Sequence, residues 1–299
     1  MRQLVLVHGR AQENKNSVAL KAEWLETLAR GLAKSNLILP IPEQDVRFPF
    51  YGDTLSDLVA GKPADNAAAV IVRGKDTDDE EKRFAYALLE EIRKKAGITD
   101  DQLTEVAGQN VVEHGPLNWE WVRDILKAID RYVPGASSTS IILFTHDVYQ
   151  YLTNTAIRTT IDAGVQKAIT PGIETVVVAH SLGTVVAYNI LRQGHDQGWK
   201  IPLYVTVGSP LAVTEIKNTL KSFATIRCPE CVSGWFNAMD EADVVSLYPL
   251  DTLNFPLYPH APAIRNKTNV QNNTDNHHGI TGYLDDKVVA KSIYDALVA

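Results

Sequence analysis

The stretch TVVVAHSLGTVVAYNILRQG, residues 175–194, constrains the fold of this chain more than any other part of its sequence. It opens with the valine-rich run Thr175–Ala179, which is typical of a β-strand buried on both faces. A tight turn around Ser181 follows, and then a helix-forming segment that ends at Gly194. A buried strand that leads directly into a helix is half of a β–α–β crossover. This segment therefore predicts a parallel sheet covered by helices.

Other short apolar runs predict further strands of the same sheet. They are Leu4–Val7, Arg47–Phe50, Ser140–Phe144, Leu203–Val207, Trp235–Met239 and Ala263–Val270. Helical periodicity lies between several of these runs. One apolar stripe is formed by Trp24, Leu25, Leu28 and Leu32, and another by Val288, Val289, Ile293 and Leu297. Strands that alternate with helices predict the α/β class, with a mostly parallel central sheet flanked by helices.

Residues 53–139 break this alternation, because no strand-like run occurs between Gly52 and Gly135. Two amphipathic helices are predicted there instead. Their apolar faces are formed by Phe84, Leu88, Leu89 and Ile92 in the first, and by Val122, Ile125, Leu126 and Ile129 in the second. We therefore expect a core of residues 1–52 and 140–299 and a helical insertion of residues 53–139. The insertion is expected to cap the site, although its helices could instead pack on each other or on the sheet.

The turn around Ser181 has the small neighbours that a serine between a strand and a helix requires. Ala179 and Gly183 stand two positions to either side, where the turn forces backbones together. This geometry would expose the Ser181 hydroxyl above the carboxyl edge of the sheet, at the N-terminus of a helix. The backbone N–H of Leu182 could then face an oxyanion that develops during attack by the serine.

A second oxyanion donor is expected in the loop after the first strand. That strand ends in His8-Gly9, and glycine lets the backbone approach a site closely. We select the N–H of Arg10 as the second donor, with Gly9 as the alternative.

An activated serine also needs a histidine and an acid. The run after the strand at Trp235 offers Asp240 and Asp243, and the loop before the final helix offers His277 and His278. We select Asp243, because it can leave the strand end and turn back under the site, and His278, because Gly279 follows it. Asp240 and His277 remain the alternatives.

This arrangement resembles the α/β-hydrolase superfamily, in its lipase-like, esterase-like or serine-peptidase-like bacterial branches. The resemblance rests on His8-Gly9, on Ala179-x-Ser181-x-Gly183, and on the chain order serine, acid, histidine. The run Val205–Leu211 is also similar to those branches. Ala179 departs from the glycine of the G-x-S-x-G pattern, a replacement that many members share. The resemblance covers the predicted core and leaves the insertion unexplained.

The resemblance implies a site at the strand ends and hydrolysis through an acyl-enzyme, with no metal and no organic cofactor. Ser181 would be the nucleophile, His278 the base and Asp243 the acid that orients it. We expect a small-molecule acyl or ester substrate and cleavage of a carboxylic ester. The alternatives are a peptidase, amidase or thioesterase on the same residues, or a module that binds an acyl ligand without turning it over.

Net charge, the lengths of the apolar runs and the cysteine spacing argue against several other classes of protein. A formal net charge of −7 argues against a nucleic-acid partner, and no apolar run approaches the length of a membrane span. The N-terminal apolar run is too short for a signal peptide, so we expect a cytoplasmic protein. Cys228 and Cys231 form only half of a zinc-site pattern, so no metal site is predicted there. The sequence leaves the oligomeric state open.

Overall fold

The computed structural model describes residues 2–10, 16–53, 55, 79–108, 118–259 and 262–299. Within these ranges the strands are β1 (Gln3–Val7), β2 (Val46–Arg47), β3 (Thr175–His180), β4 (Tyr204–Val207), β5 (Trp235–Ala238) and β6 (Arg265–Lys267). They form one sheet in the order β2-β1-β3-β4-β5-β6, and every pair of neighbours is parallel. The predicted α/β class with a parallel central sheet is confirmed.

Helices cover both faces of this sheet. In chain order they are α1 (Ser17–Ala33), α2 (Asp79–Lys95), α3 (Asp100–Ala107), α4 (Trp119–Tyr132), α5 (Ser138–Thr153), α6 (Thr155–Gln166), α7 (Leu182–Leu191), α8 (Thr214–Phe223), α9 (Ile280–Leu284) and α10 (Lys287–Val298). A 3₁₀ turn over Glu43–Asp45 precedes β2. The Asp286 carboxylate caps α10 by accepting from the N–H groups of Val288 and Val289.

Alternate residues of the central strands enter two separate cores, because successive side chains of a strand point to opposite faces. Leu4 and Leu6 of β1 pack with the buried faces of α1, α9 and α10. Val5 and Val7 pack on the other side, with the layer that runs from α2 to α8. Both faces are thus buried, which explains why these strands are almost continuously apolar in sequence.

The strand order places a crevice beside β1. The chain passes from β1 to β2 on one side and then crosses to β3 on the other, so the connections diverge there. In open parallel sheets such a crevice, at the carboxyl ends of the strands, is where ligands bind. The register aligns Val7 of β1 with Ala179 of β3, and Ala179 with Thr206 of β4. The residues that follow these three therefore emerge together at one edge.

The predicted strand Ser140–Phe144 is wrong, because these residues lie in α5, which Ser137 caps. Asp147 also lies inside this helix. Helix α5 contacts α2, α4, α6 and α8, so it is apolar on almost every side. A short apolar run signals burial, and periodicity alone does not separate a buried helix from a buried strand. The strands predicted near Arg47 and Ala263 are real but shorter, at β2 and β6.

The insertion is helical where the structure describes it, and its helices pack as a layer. Helix α4 contacts α2, α3 and α5, and α2 also contacts α5 and α8. Leu88 and Ile125 lie in the same core as the β1 and β3 side chains. The described helices of the insertion thus pack on each other and on the flank of the sheet, and the cap over the site stays a prediction. Residues 54, 56–78 and 109–117 of the insertion lie outside the described residues.

We predict that Leu88→Ala lowers the free energy of unfolding by about 2–5 kcal/mol, because this 1% exposed side chain leaves a cavity in the core. The measurement is urea unfolding, with Lys94→Ala on the same helix as the control. The Lys94 side chain is 68% exposed, so its loss is expected to change stability by less than about 0.5 kcal/mol. Unchanged stability of Leu88→Ala with an altered acyl-chain preference would instead support a cap.

Candidate active site

Ser181 lies on the sharp turn between β3 and α7, in a backbone conformation that side chains rarely adopt. Its φ is 55° and its ψ is −132°. The surrounding structure imposes this conformation, since the Ser181 N–H donates to the Val207 carbonyl at 3.2 Å and its carbonyl accepts from the Thr184 N–H at 2.9 Å. Strain of this kind costs about 1–3 kcal/mol and clusters at functional sites.

Two glycines allow β1 and α7 to meet at this turn. A Cβ atom on Gly183 would lie 2.4 Å from the His8 carbonyl oxygen and 2.6 Å from that of Val7. A Cβ atom on Gly9 would lie 2.7 Å from the Ser181 Cβ. Any side chain at either position would push the end of β1 away from the serine. The sequence requirement for small residues thus has a direct steric cause.

Ser181, His278 and Asp243 form one hydrogen-bonded array, which we name the Ser181 array. The Nδ1–H of His278 donates to Asp243 Oδ2 at 2.8 Å. Since the carboxylate can only accept, the proton of the neutral imidazole resides on Nδ1. The Nε2 atom is then free to accept from the Ser181 hydroxyl, which lies 2.9 Å away. This tautomer is the one in which a histidine can take a proton from a serine.

The Asp243 carboxylate is held as an anion in a fully buried position. Burial opposes its ionisation, but the neighbouring His278 and the hydrogen bonds it accepts outweigh burial and lower its pKa. Its Oδ1 accepts from the N–H groups of Val245 at 2.8 Å and Ser246 at 3.2 Å. Its Oδ2 accepts from Tyr283 in addition to His278. Donors therefore surround the charge on both oxygens.

His180 supports the histidine of the array from the strand side. Its Nε2–H donates to the His278 carbonyl at 2.8 Å, and the two rings lie 4.7 Å apart between centroids. Burial, and next the nearby charge of His278, lower the pKa of His180 to about 3. His180 thus stays neutral above that pH. A neutral ring can lie against His278 without opposing a positive charge that forms there.

The alternative candidates, Asp240 and His277, lie elsewhere. The Nδ1–H of His277 donates to the Asn272 carbonyl at 3.0 Å, and Asp240 Oδ2 accepts from the Asn272 N–H at 2.7 Å. Asp240 and His277 line a different cavity from the one that holds Ser181. The structure therefore brings Ser181 together with Asp243 and His278, and not with these two.

Both expected oxyanion donors are near the serine. Leu182 is the first residue of α7, and the first N–H groups of a helix have no acceptor within it. The backbone of Gly9 passes Ser181 so closely that a Cβ on it would lie 3.3 Å from the Ser181 Oγ. Arg10 follows directly and lines the cavity, and its Nε–H donates to Asp147 Oδ2 on α5 at 2.6 Å. The Arg10–Asp147 pair thus links this loop to α5.

A cavity of about 320 Å³ opens over the Ser181 array. Its walls come from α1, α5, α9 and the loop after Asp243. The apolar lining residues include Leu20, Trp24, Ile141, Phe144, Val244, Val245 and Ile280, and the polar ones include Glu23, Ser137, Ser140, Asn276 and Thr281. Of the described part of the insertion, only Ala136 and Ser137 line this cavity.

Sequence reasoning missed the supporting residues His180, Gly208 and Tyr283. Gly208 has φ 56°, and a Cβ on it would lie 3.2 Å from His278 Nδ1 and Cε1, so it forms the wall behind the imidazole. Gly208 directly follows β4, so an alignment of the predicted strands would have placed it beside Ser181. Tyr283 lies in a short helix with no local pattern that marks it.

No protein-family model, curated protein or solved structure matches this chain. Among the described helices, none has the length and apolar character needed to cross a membrane. The described residues hold no group of three or more His, Cys, Asp or Glu side chains placed to bind a metal ion. Cys228 and Cys231 are buried free thiols, and burial raises their pKa values to about 11 and 12.

We predict that His180 makes the protein less stable as the pH falls below about 6.5. The pKa of His180 is lowered in the folded state, so the unfolded chain binds the extra proton between about pH 6.5 and 3. Stability from a neutral His180 is present above pH 6.5 and is lost toward pH 3, by roughly 1 kcal/mol per pH unit.

Urea unfolding of wild type and His180→Gln at pH 7, 6 and 5 checks this prediction. Glutamine keeps an N–H donor but does not titrate, so the stability advantage of the wild type is expected to shrink with each step down in pH. An advantage that stays constant would mean that His180 binds a proton equally well in the folded and the unfolded protein.

Proposed function

We propose that this protein is a serine hydrolase that cleaves carboxylic esters through an acyl-enzyme, and that it is a member of the α/β-hydrolase superfamily. The observation that carries the proposal is the Ser181 array, which ends on a strained strand-to-helix turn and opens into a largely apolar cavity. The parallel sheet and the chain order of Ser181, Asp243 and His278 support the family assignment.

In the first step, Ser181 Oγ attacks the carbonyl carbon of the ester while its proton passes to His278 Nε2. The new C–O bond converts the carbonyl oxygen into an oxyanion. The developing imidazolium is stabilised by Asp243, which stays ionised throughout. The lowered pKa of Asp243 suits that role, because a carboxylic acid in this position would supply no opposing charge.

The oxyanion would be held by the backbone N–H groups of Leu182 and Arg10, with Gly9 as the alternative to Arg10. Preorganised donors of this kind act where charge develops and need no reorganisation during the reaction. When the intermediate collapses, the C–O bond to the alcohol breaks and His278 returns its proton to the leaving oxygen. The acyl group remains on Ser181 Oγ.

Water then completes the cycle. His278 Nε2 takes a proton from a water molecule, and the water oxygen attacks the acyl carbon. Collapse of the second intermediate releases the carboxylic acid and returns the proton to Ser181 Oγ, so the enzyme is regenerated without a cofactor.

The cavity favours an ester with a modest apolar acyl group. Its volume of about 320 Å³ is roughly ten times the share of one water molecule in the liquid, at about 30 Å³. Apolar side chains such as Trp24, Ile141 and Phe144 form much of its wall, as in most small-molecule sites. Amides and thioesters share the mechanism, so a substrate panel needs all three classes.

We predict that a fluorophosphonate probe labels Ser181, since its oxygen is activated by His278 and attacks phosphorus with loss of fluoride. Ser181→Ala is expected to abolish labelling and to lower kcat for ester hydrolysis by several orders of magnitude. Mass spectrometry of the labelled peptide locates the probe.

Ser209→Ala is the matched control. Ser209 is buried and also follows a strand at this edge, but its hydroxyl bonds to Thr184 Oγ1 at 2.9 Å and not to a histidine. This variant should label and turn over substrate as the wild type does. Wild-type protein that neither labels nor hydrolyses any ester, amide or thioester would reject the proposal and leave an acyl-binding module.

We predict that His278→Asn abolishes turnover while His277→Asn retains most of it. Of these two histidines only His278 reaches Ser181, and asparagine tolerates the φ of 54° at position 277. The measurement is kcat for the best ester of the panel in both variants. If the ranking came out reversed, the base would have to be reassigned to His277.

A further inference from the structure

We propose that Tyr283 is a positioning residue that sets how much negative charge Asp243 presents to His278. This inference rests on the proposed function, because it concerns how strongly the base of the Ser181 array holds a proton. It adds a residue that touches neither the serine nor the cavity.

The argument begins with the Oδ2 atom of Asp243. This one oxygen accepts from His278 Nδ1 at 2.8 Å and from the Tyr283 hydroxyl at 2.5 Å. The other oxygen is already occupied by backbone N–H groups. Tyr283 and His278 therefore share a single acceptor, and each weakens the hold of that oxygen on the other.

The direction of the Tyr283 hydroxyl is fixed by its surroundings. Its oxygen accepts from the Asp240 N–H at 3.3 Å, which leaves its proton to point at Asp243. The ring is fully buried, and a Cβ on Gly208 would lie 3.0 Å from its Cε2 atom. The hydroxyl of this packed ring therefore donates to Asp243.

The sign of the effect follows from electrostatics. A donor on Oδ2 withdraws part of the carboxylate charge and so stabilises a protonated His278 less. With Tyr283 in place, His278 is expected to lose its proton at a lower pH than it would beside an undisturbed carboxylate. The neutral base that attack requires then persists further into the acid range.

Other charged or titratable groups face this pair from the packed elements. They are His180 at the end of β3, Asp240 and His277 on the far side of Tyr283, and Arg10 and Glu23 in the cavity. A substitution that removes only the Tyr283 oxygen deletes none of these groups, and its one effect among them is that the Asp240 N–H loses its acceptor. A change in the titration of His278 in such a variant can therefore be assigned to the lost donor.

Tyr283→Phe tests the inference, since it keeps the buried ring and deletes the hydroxyl. The acid limb, that is, the fall of kcat/KM on the acid side of its pH profile, is expected to move up by about 0.5–1 pH unit. The plateau kcat is expected to fall roughly tenfold, because Asp243 loses one of its hydrogen-bond donors. A residue with only a packing role would lower stability without moving the limb. A limb that coincides with that of the wild type would overturn the proposal.

Tyr188→Phe is the matched control. Tyr188 lies on α7, beyond the Ser181 array. Its side chain is likewise buried, and its hydroxyl donates to the Arg227 carbonyl at 3.0 Å. Its loss should reduce stability to a comparable degree and leave the acid limb in place.

NMR titration of the His278 imidazole separates this inference from the proposed function, because it needs no substrate. The upward shift is expected in Tyr283→Phe even if the wild type hydrolyses no ester. In a protein with 3-fluorotyrosine at position 283, the more acidic phenol is a stronger donor, so the titration should move down. The fluorotyrosine protein also tests the inference if Tyr283→Phe does not fold. If His278 titrates identically in the fluorotyrosine protein and in the wild type, the inference is refuted.

Discussion

The in-register parallel alignment of β1, β3 and β4 is the constraint on which the rest of this site depends. Val7, Ala179 and Thr206 stand side by side across the three strands. Two residues further along, the chain reaches Gly9, Ser181 and Gly208, which meet at the carboxyl edge. A shift of one residue in any pairing would turn every side chain of that strand to the opposite face. The two apolar cores therefore fix the position of the serine, and some of their members also line the cavity beside it.

The polar part of the site is built by a different principle, the complete satisfaction of a buried charge. Asp243 is withdrawn from water and compensated by donors on both oxygens, so its ionised form is stable in the interior. His180 then fixes the His278 main chain. Because each of these groups depends on another for its partner, the network either forms as a whole or leaves a buried polar atom unpaired.

Much of this arrangement could be predicted from the sequence, because a local steric requirement often allows only one type of residue at a position. A valine-rich run before Ser181 and a glycine two positions beyond it encode the turn, since the steric need is local. The adjacent Gly279 favours His278 over His277, but the feature that separates the two is which ring reaches Ser181, and that depends on contacts distant in sequence. Helix α5 was mistaken for a strand, since its apolar surroundings are supplied by helices distant in sequence. Tyr283 was missed for the same reason, as its partner Asp243 is 40 residues away.

The backbone of Ser181 has a consequence for how far this fold can be stabilised. Glycine adopts a φ of 55° without a steric penalty, whereas serine at this position holds the chain in a conformation that costs about 1 kcal/mol or more. Packing does not explain that choice, because the surrounding residues leave room for glycine. Glycine at position 181 would therefore relieve the backbone strain and raise the free energy of unfolding, but the protein would lose the hydroxyl group.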